Sequence, residues 1–255
     1  MKIMICGKGG AGKTVITVLL GRSLSKYLKV YIVDSDESNL LLPTFLGVKP
    51  PKPLVELVGG KKDEEEFEKM EPDIAKALAT ARKGVRINKL PKDYVSFTSE
   101  GIGLLTMGKV REYGEGCACP FSILTKIFLS NLKLEEDEVV LVDTDAGVEH
   151  IGRKIEEVCD GLLIVVDPSL ESLEIASLLK DVALALNKKF WILANKVTSQ
   201  IEELLLEEVA QLNLKIDGIV RLDNDLFLST LKRETLKAKI ALQDIEKITC
   251  KILSS

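Results

Sequence analysis

The stretch that most constrains this chain is Gly7–Thr14, which reads Gly-Lys-Gly-Gly-Ala-Gly-Lys-Thr. It follows the apolar run at 2–6 and precedes Val15-Ile-Thr-Val-Leu-Leu20, so a strand enters a glycine-rich turn and a helix leaves it. That order gathers the backbone N–H groups of Gly9, Gly10, Ala11 and Gly12 and a helix N-terminus around one point, a cradle for a di- or triphosphate. In the pattern G-x-x-x-x-G-K-[ST], Lys13 reaches the β- and γ-phosphates and the Thr14 hydroxyl a magnesium ion. Motif and strand–turn–helix context occur together, which a structural glycine turn does not require.

Other strand ends repeat the theme. Lys29-Val-Tyr-Ile-Val33 reads as a second buried strand running into Asp34-Ser-Asp36, and Val139-Val-Leu-Val-Asp143 as a central strand ending in a carboxylate. Acidic groups at the carboxyl ends of strands sit on the functional edge of an open parallel sheet. Asp143 downstream of a phosphate loop orients magnesium through its water ligands. Gly147 is placed to offer its N–H to a γ-phosphate, which makes the segment after Asp143 a candidate switch. Strands at 161–166 and 190–194 and helices at about 170–186 and 201–211 continue the alternation. A last strand at 215–220 and C-terminal helices complete it. The expected fold is α/β, an open, mostly parallel sheet with helices on both faces, in one nucleotide-binding domain over 1–255.

From about 40 to 116 that rhythm lapses. Pro43, Pro50, Pro51 and Pro53 punctuate a loop, and the charge run 61–71 reads as a solvated helix face. A helix near 73–82, a short strand near 95–97, a sheet strand at 103–107 and a first helix reaching Tyr27 are the remaining expectations.

Cys117-Ala-Cys119-Pro120 then opens the periodic apolar segment from Phe121 to Leu129. Thiols at a helix N-terminus have depressed pKa values and favour the metal-binding thiolate. On spacing alone, a metal site, a redox pair and unrelated loop cysteines all remain open. Cys6, Cys159 and Cys250 read as small buried hydrophobes, and His150, the single histidine, as a local hydrogen-bonding residue.

With 35 basic against 39 acidic residues the net charge is −4, which argues against a broad nucleic-acid footprint. No apolar run approaches the roughly 18–20 residues of a membrane span. The N-terminal strand leaves no room for a cleavable signal, so a cytoplasmic, membrane-free protein is expected.

Lys8, just after the first loop glycine, makes the loop resemble the deviant phosphate loop of the family that includes MinD, ParA, the arsenite-pump ATPase and the nitrogenase iron protein. The resemblance implies an ATP-hydrolysing homodimer in which Lys8 crosses to the partner's phosphates, Asp36 positions the attacking water with Asp34 closer to magnesium, and Asn195 binds the adenine edge. ATP or ADP and Mg²⁺ are the implied ligands. Together with Cys117-Ala-Cys119 and the tract from Asp143 through Gly147-Val-Glu-His150 to Arg153, the chain resembles the CooC family of ATPases. That likeness implies a metallochaperone. Cys117 and Cys119 of two chains would hold Ni²⁺ or Zn²⁺ for a client, carbon monoxide dehydrogenase or acetyl-CoA synthase. The competing class is an iron–sulfur reductase or scaffold ATPase similar to the nitrogenase iron protein.

Overall fold

The computed structural model describes residues 1–61, 64–80, 84–109, 119–145 and 154–254, with the backbone alone at Glu64 and Cys119. The described strands form one eight-stranded sheet in the order β3-β4-β2-β5-β1-β6-β7-β8. They are β1 Lys2–Cys6, β2 Lys29–Asp34, β3 Ser96–Phe97, β4 Gly103–Thr106, β5 Glu138–Asp143, β6 Gly161–Val166, β7 Lys189–Val197 and β8 Gly218–Arg221. Neighbours run parallel except β3, which lies antiparallel to β4 at the edge.

The apolar strands alternate between two cores, as a parallel sheet buried on both faces demands. Ile3, Ile5, Val30, Ile32, Leu141, Leu163 and Leu193 face one core with α1 (Lys13–Leu24) and the helix Ile240–Leu253. Met4, Cys6, Val33, Val142, Ile164 and Ile192 face the other, with the helices Cys119–Asn131, Leu170–Ala185 and Glu202–Gln211. From β1 the chain moves one way through α1 to β2, and from β6 the other way to β7. Its crevice therefore opens at the carboxyl ends of β1, β5 and β6, where open sheets bind ligands.

Local differences from the sequence reading have physical reasons. The first helix stops at Leu24 and turns back through the Tyr27 N–H to the Leu24 carbonyl, short of Tyr27. In the charge run, the helix Glu64–Lys69 is solvated on most sides, yet Phe67 is fully buried and anchors it to the core. The next helix is Glu71–Leu78, and residues 81–83 lie outside the described set. β8 begins at Gly218, after Asp217 accepts the Ile192 N–H on its carboxylate and so ends the approach as a turn. Cys6 and Cys159 are buried as expected, but Cys250 is exposed. Its helix buries Ala241, Ile245, Ile248 and Ile252, and position 250 falls off that stripe. Among the described residues no helix is long and apolar enough to cross a membrane.

β1 ends against Gly7, whose φ of +132° is accessible to glycine. A Cβ there would lie 2.2 Å from the Val165 carbonyl oxygen of β6, a backbone atom that no rotamer can move. Gly10, at φ +79°, has open space around the same position. Gly7→Ala is expected to lower stability by about 3 kcal/mol or more, and Gly10→Ala by about 1 kcal/mol. Thermal unfolding followed by circular dichroism checks the difference, and equal losses would contradict this account of the β1–β6 junction.

Candidate nucleotide site

The loop after β1 folds back on itself, with the Ala11 N–H donating to the Lys8 carbonyl at 3.2 Å. Gly12, at φ +98°, is the N-cap of α1 and supplies no side chain to cap it. The first-turn N–H groups of α1 therefore point out of the helix end, where an anion is favoured. The Lys13 ammonium donates to the Gly7 and Lys8 carbonyls, each at 3.1 Å, and is held across the loop. Burial lowers its pKa, opposed by the Asp143 and Asp36 charges.

Under the loop lies Asp143, fully buried at the end of β5. Its Oδ2 accepts from the Thr14 hydroxyl at 2.8 Å and its Oδ1 from the Thr17 hydroxyl at 2.9 Å. Thr17 lies three residues after Thr14, so both hydroxyls fall on the face of α1 toward β5. Asp34 is beside Asp143 in register across β2 and β5. Its carboxylate is enclosed and paired with the Lys109 ammonium at 2.7 Å, while its Oδ1 has no hydrogen-bond partner. Burial pushes Asp34 up to about 7; Lys109 pulls it down, and Asp143 and Asp36 push it further up. Asp143 is raised to about 6 by burial and Asp36, against the Thr14 and Thr17 hydrogen bonds and Lys13.

Asp36 heads a tight turn in which its Oδ1 accepts from the Ser38 N–H, the Ser38 hydroxyl and the Asn39 N–H. Asn39 then donates from Nδ2 to the Thr14 hydroxyl at 2.9 Å. Thr14, Asp143 and the orphaned Oδ1 of Asp34 are hard oxygen donors. Mg²⁺ needs only one or two such protein ligands beside water and phosphate, so the set fits that ion. Among the described residues no group of three or more His, Cys, Asp or Glu is arranged to hold a metal unaided.

Asn195, from β7, donates its Nδ2 to the Ala11 carbonyl at 2.8 Å, and a Cβ on Gly12 would strike that same nitrogen at 2.3 Å. The asparagine thus braces the loop. It also lines a cavity of about 430 Å³ with Val15, Phe45, Leu226 and Phe227, in the size range of small-molecule sites. The floor depends on Asp223. Its Oδ1 caps the helix Asn224–Leu231 through the Asp225 and Leu226 N–H groups, and its Oδ2 accepts from Lys239, Ile240 and Ala241 at the start of the last helix. Burial alone would raise the Asp223 pKa, but these N–H bonds outweigh it and hold the carboxyl low.

The structure therefore brings Lys8, Gly9, Gly10, Ala11, Gly12, Lys13, Thr14, Asp34, Asp36, Asp143 and Asn195 to one crevice. Lys8 pairs within its own chain, with Glu171 at 2.9 Å and Ser169 at 3.3 Å, and Glu171 holds its pKa above the usual lysine value. Gly147, His150 and Cys117 lie outside the described residues, and Cys119 appears only as the first backbone position of its helix. Thr17, Asn39, Lys109, Glu171 and Asp223 were not singled out from the sequence. Thr17 alone carried a signal there, its spacing of three from Thr14.

A family model described as the CobQ/CobB/MinD/ParA nucleotide binding domain matches residues 2–236. An uncharacterized ATP-binding protein of Methanocaldococcus jannaschii is 38% identical over 255 residues, covering 98% of this chain and 100% of the relative. The carbon monoxide dehydrogenase accessory protein CooC of Rhodospirillum rubrum is 33% identical over 217 residues, 79% of this chain and 76% of that protein. Among solved structures, the septum site-determining protein MinD of Pyrococcus horikoshii, complexed with Mg-ADP, superposes with a TM-score of 0.66. It is 16% identical, with 98% of this chain and 95% of that one covered.

Raised carboxyl pKa values have a stability consequence of definite sign. Asp143 and Asp34 bind protons more tightly in the folded chain, near 6 and 7, than at their ordinary value of 3.8. Their stabilising contribution is therefore full below about pH 4 and is lost as pH rises through about 6 to 7. In the absence of divalent cations, Asp143→Asn is expected to gain thermal stability relative to wild type by a few degrees more at pH 8 than at pH 5. A stability difference independent of pH would contradict the buried, proton-hungry state of Asp143.

Proposed function

Because the chain belongs to the CobQ/CobB/MinD/ParA nucleotide-binding family, we propose that it is an ATPase whose ATP-bound form is a homodimer and whose turnover serves metal delivery. The observation that carries the nucleotide reading is the Asp143 carboxylate held between the Thr14 and Thr17 hydroxyls beneath the glycine loop. Mg²⁺, when bound, neutralises phosphate charge there and polarises the γ-phosphoryl group.

The chain's own residues do the rest. The first-turn N–H groups of α1 and the Lys13 ammonium bind the phosphates. Thr14 and Asp143 hold the cation's ligands in place, and Asp36, on its rigid turn, orients the attacking water. Asn195 and the apolar cavity beside Gly12 take the adenine base. An amide offers both a donor and an acceptor to that edge. In the proposed dimer Lys8 exchanges Glu171 for the partner's phosphates, which couples nucleotide to assembly.

The metal reading rests on the likeness to CooC and on the Cys117-Ala-Cys119 sequence, whose last residue begins the helix Cys119–Asn131. A pair of thiolates from each of two chains completes a tetrahedral zinc or square-planar nickel site on a two-fold axis. The cargo is then Ni²⁺ or Zn²⁺, and the client carbon monoxide dehydrogenase or acetyl-CoA synthase, in the cytoplasm.

Titration of wild type and the Cys117→Ala/Cys119→Ala double variant with Ni²⁺ and Zn²⁺, with mass measured alongside, tests this. One divalent ion per two chains in wild type, and loss of tight binding in the variant, is expected. Unchanged binding by the variant, one metal per isolated chain, or a broad iron–sulfur absorption band in anaerobically purified protein would overturn it.

A further inference from the structure

β4 ends at Thr106, and the chain continues along β2, the Met107 N–H donating to the Asp34 carbonyl at 3.0 Å. This brings Lys109 to the Asp34–Asn39 loop, where its side chain is 7% exposed. The ammonium makes three contacts. It pairs with the Asp34 carboxylate at 2.7 Å and donates to the Asp36 and Asn39 carbonyls. Three donors on one compact cation suit three acceptors that arrive from different directions.

Those acceptors bracket the functional turn. Asp36 is clamped at its backbone by Lys109 and at its Oδ1 by Ser38 and Asn39. Asn39 is held by Lys109 at its carbonyl, and its side chain donates to Thr14, which donates to Asp143. A continuous run of hydrogen bonds thus joins Lys109 to the hydroxyl proposed to face magnesium. The contacts to carbonyls are to backbone, so they fix where the turn sits whatever its side chains do.

We propose that Lys109 is a positioning residue for ATP hydrolysis: it touches neither phosphate nor water, and sets the distance of Asp36 and Asn39 from Thr14. The inference rests on the reading of the crevice as an ATPase site. Displacing a water-orienting group by about 1 Å from a phosphate costs on the order of 100-fold in rate. Substrate binding, carried by α1, the glycine loop and Lys13, is left nearly intact.

The test combines steady-state Mg-ATP hydrolysis, binding of a fluorescent ATP analogue, and amide hydrogen exchange of residues 35–41. Lys109→Met is expected to lower kcat about 100-fold while changing KM and analogue affinity by no more than about threefold, and to speed exchange in 35–41 at least about tenfold. Lys109→Arg, which keeps the charge and donors, is expected to recover most of kcat. Asn39→Ala leaves the Lys109–Asp34 pair in place and removes the link to Thr14, and is expected to reproduce the loss of kcat in a normally folded protein. The proposal is overturned by unchanged exchange or unchanged kcat in Lys109→Met, by kcat and affinity falling in parallel, or by full activity of Asn39→Ala. Wild type that binds the analogue without hydrolysing ATP overturns the ATPase reading instead, and the positioning role with it.

Discussion

The geometry of the crevice is set by a carboxylate buried from solvent. Asp143 sits at the end of the central strand, fully buried, and its charge is carried by two threonine hydroxyls one helical turn apart on α1. That pair of bonds fixes the rotation of α1 about its axis and its height over β5. The helix N-terminus and the glycine loop in front of it are thereby aimed at the sheet edge. Hydrogen bonds to a buried charge are among the stronger ones, and here they tie the two elements that build a phosphate cradle to the strand that supplies the acid.

Around this point the molecule concentrates charge it can barely keep. Asp36 and Asp143 each raise a neighbour's pKa, Asp34 is the carboxyl raised furthest, and Lys13 and Lys109 are the cations set against them. The two lysines divide the work: Lys13 lies over the loop, and Lys109 lies beneath the neighbouring turn. Such an assembly of like charges in low dielectric is poor as scaffolding and suited to a divalent cation and a polyphosphate.

What was legible in the sequence follows from how local each signal is. The glycine loop, the strand-end aspartates and the β-α alternation are short-range patterns, and they appear where the residues place them. Lys109 was invisible because a lysine after an apolar strand looks solvated; only the pairing of β4 with β2 carries it to Asp34. Phe67 was hidden in a charge run for the same reason, since its burial comes from distant elements. Lys8 read as a residue reaching outward, and its Glu171 partner lies more than 160 positions away at the start of another helix. Asp223 was not singled out, because the closing of a second helix start by its second oxygen depends on two loops meeting in space.

The most direct test of the whole arrangement is Mg-ATP hydrolysis by Lys13→Ala compared with wild type. Lys13 donates its ammonium across the loop to the Gly7 and Lys8 carbonyls, beside the α1 N-terminus where the phosphates are proposed to bind. Removing it is expected to abolish turnover while leaving the fold and its thermal unfolding intact. Hydrolysis by Lys13→Ala at the wild-type rate would contradict the assignment of this crevice as the nucleotide site.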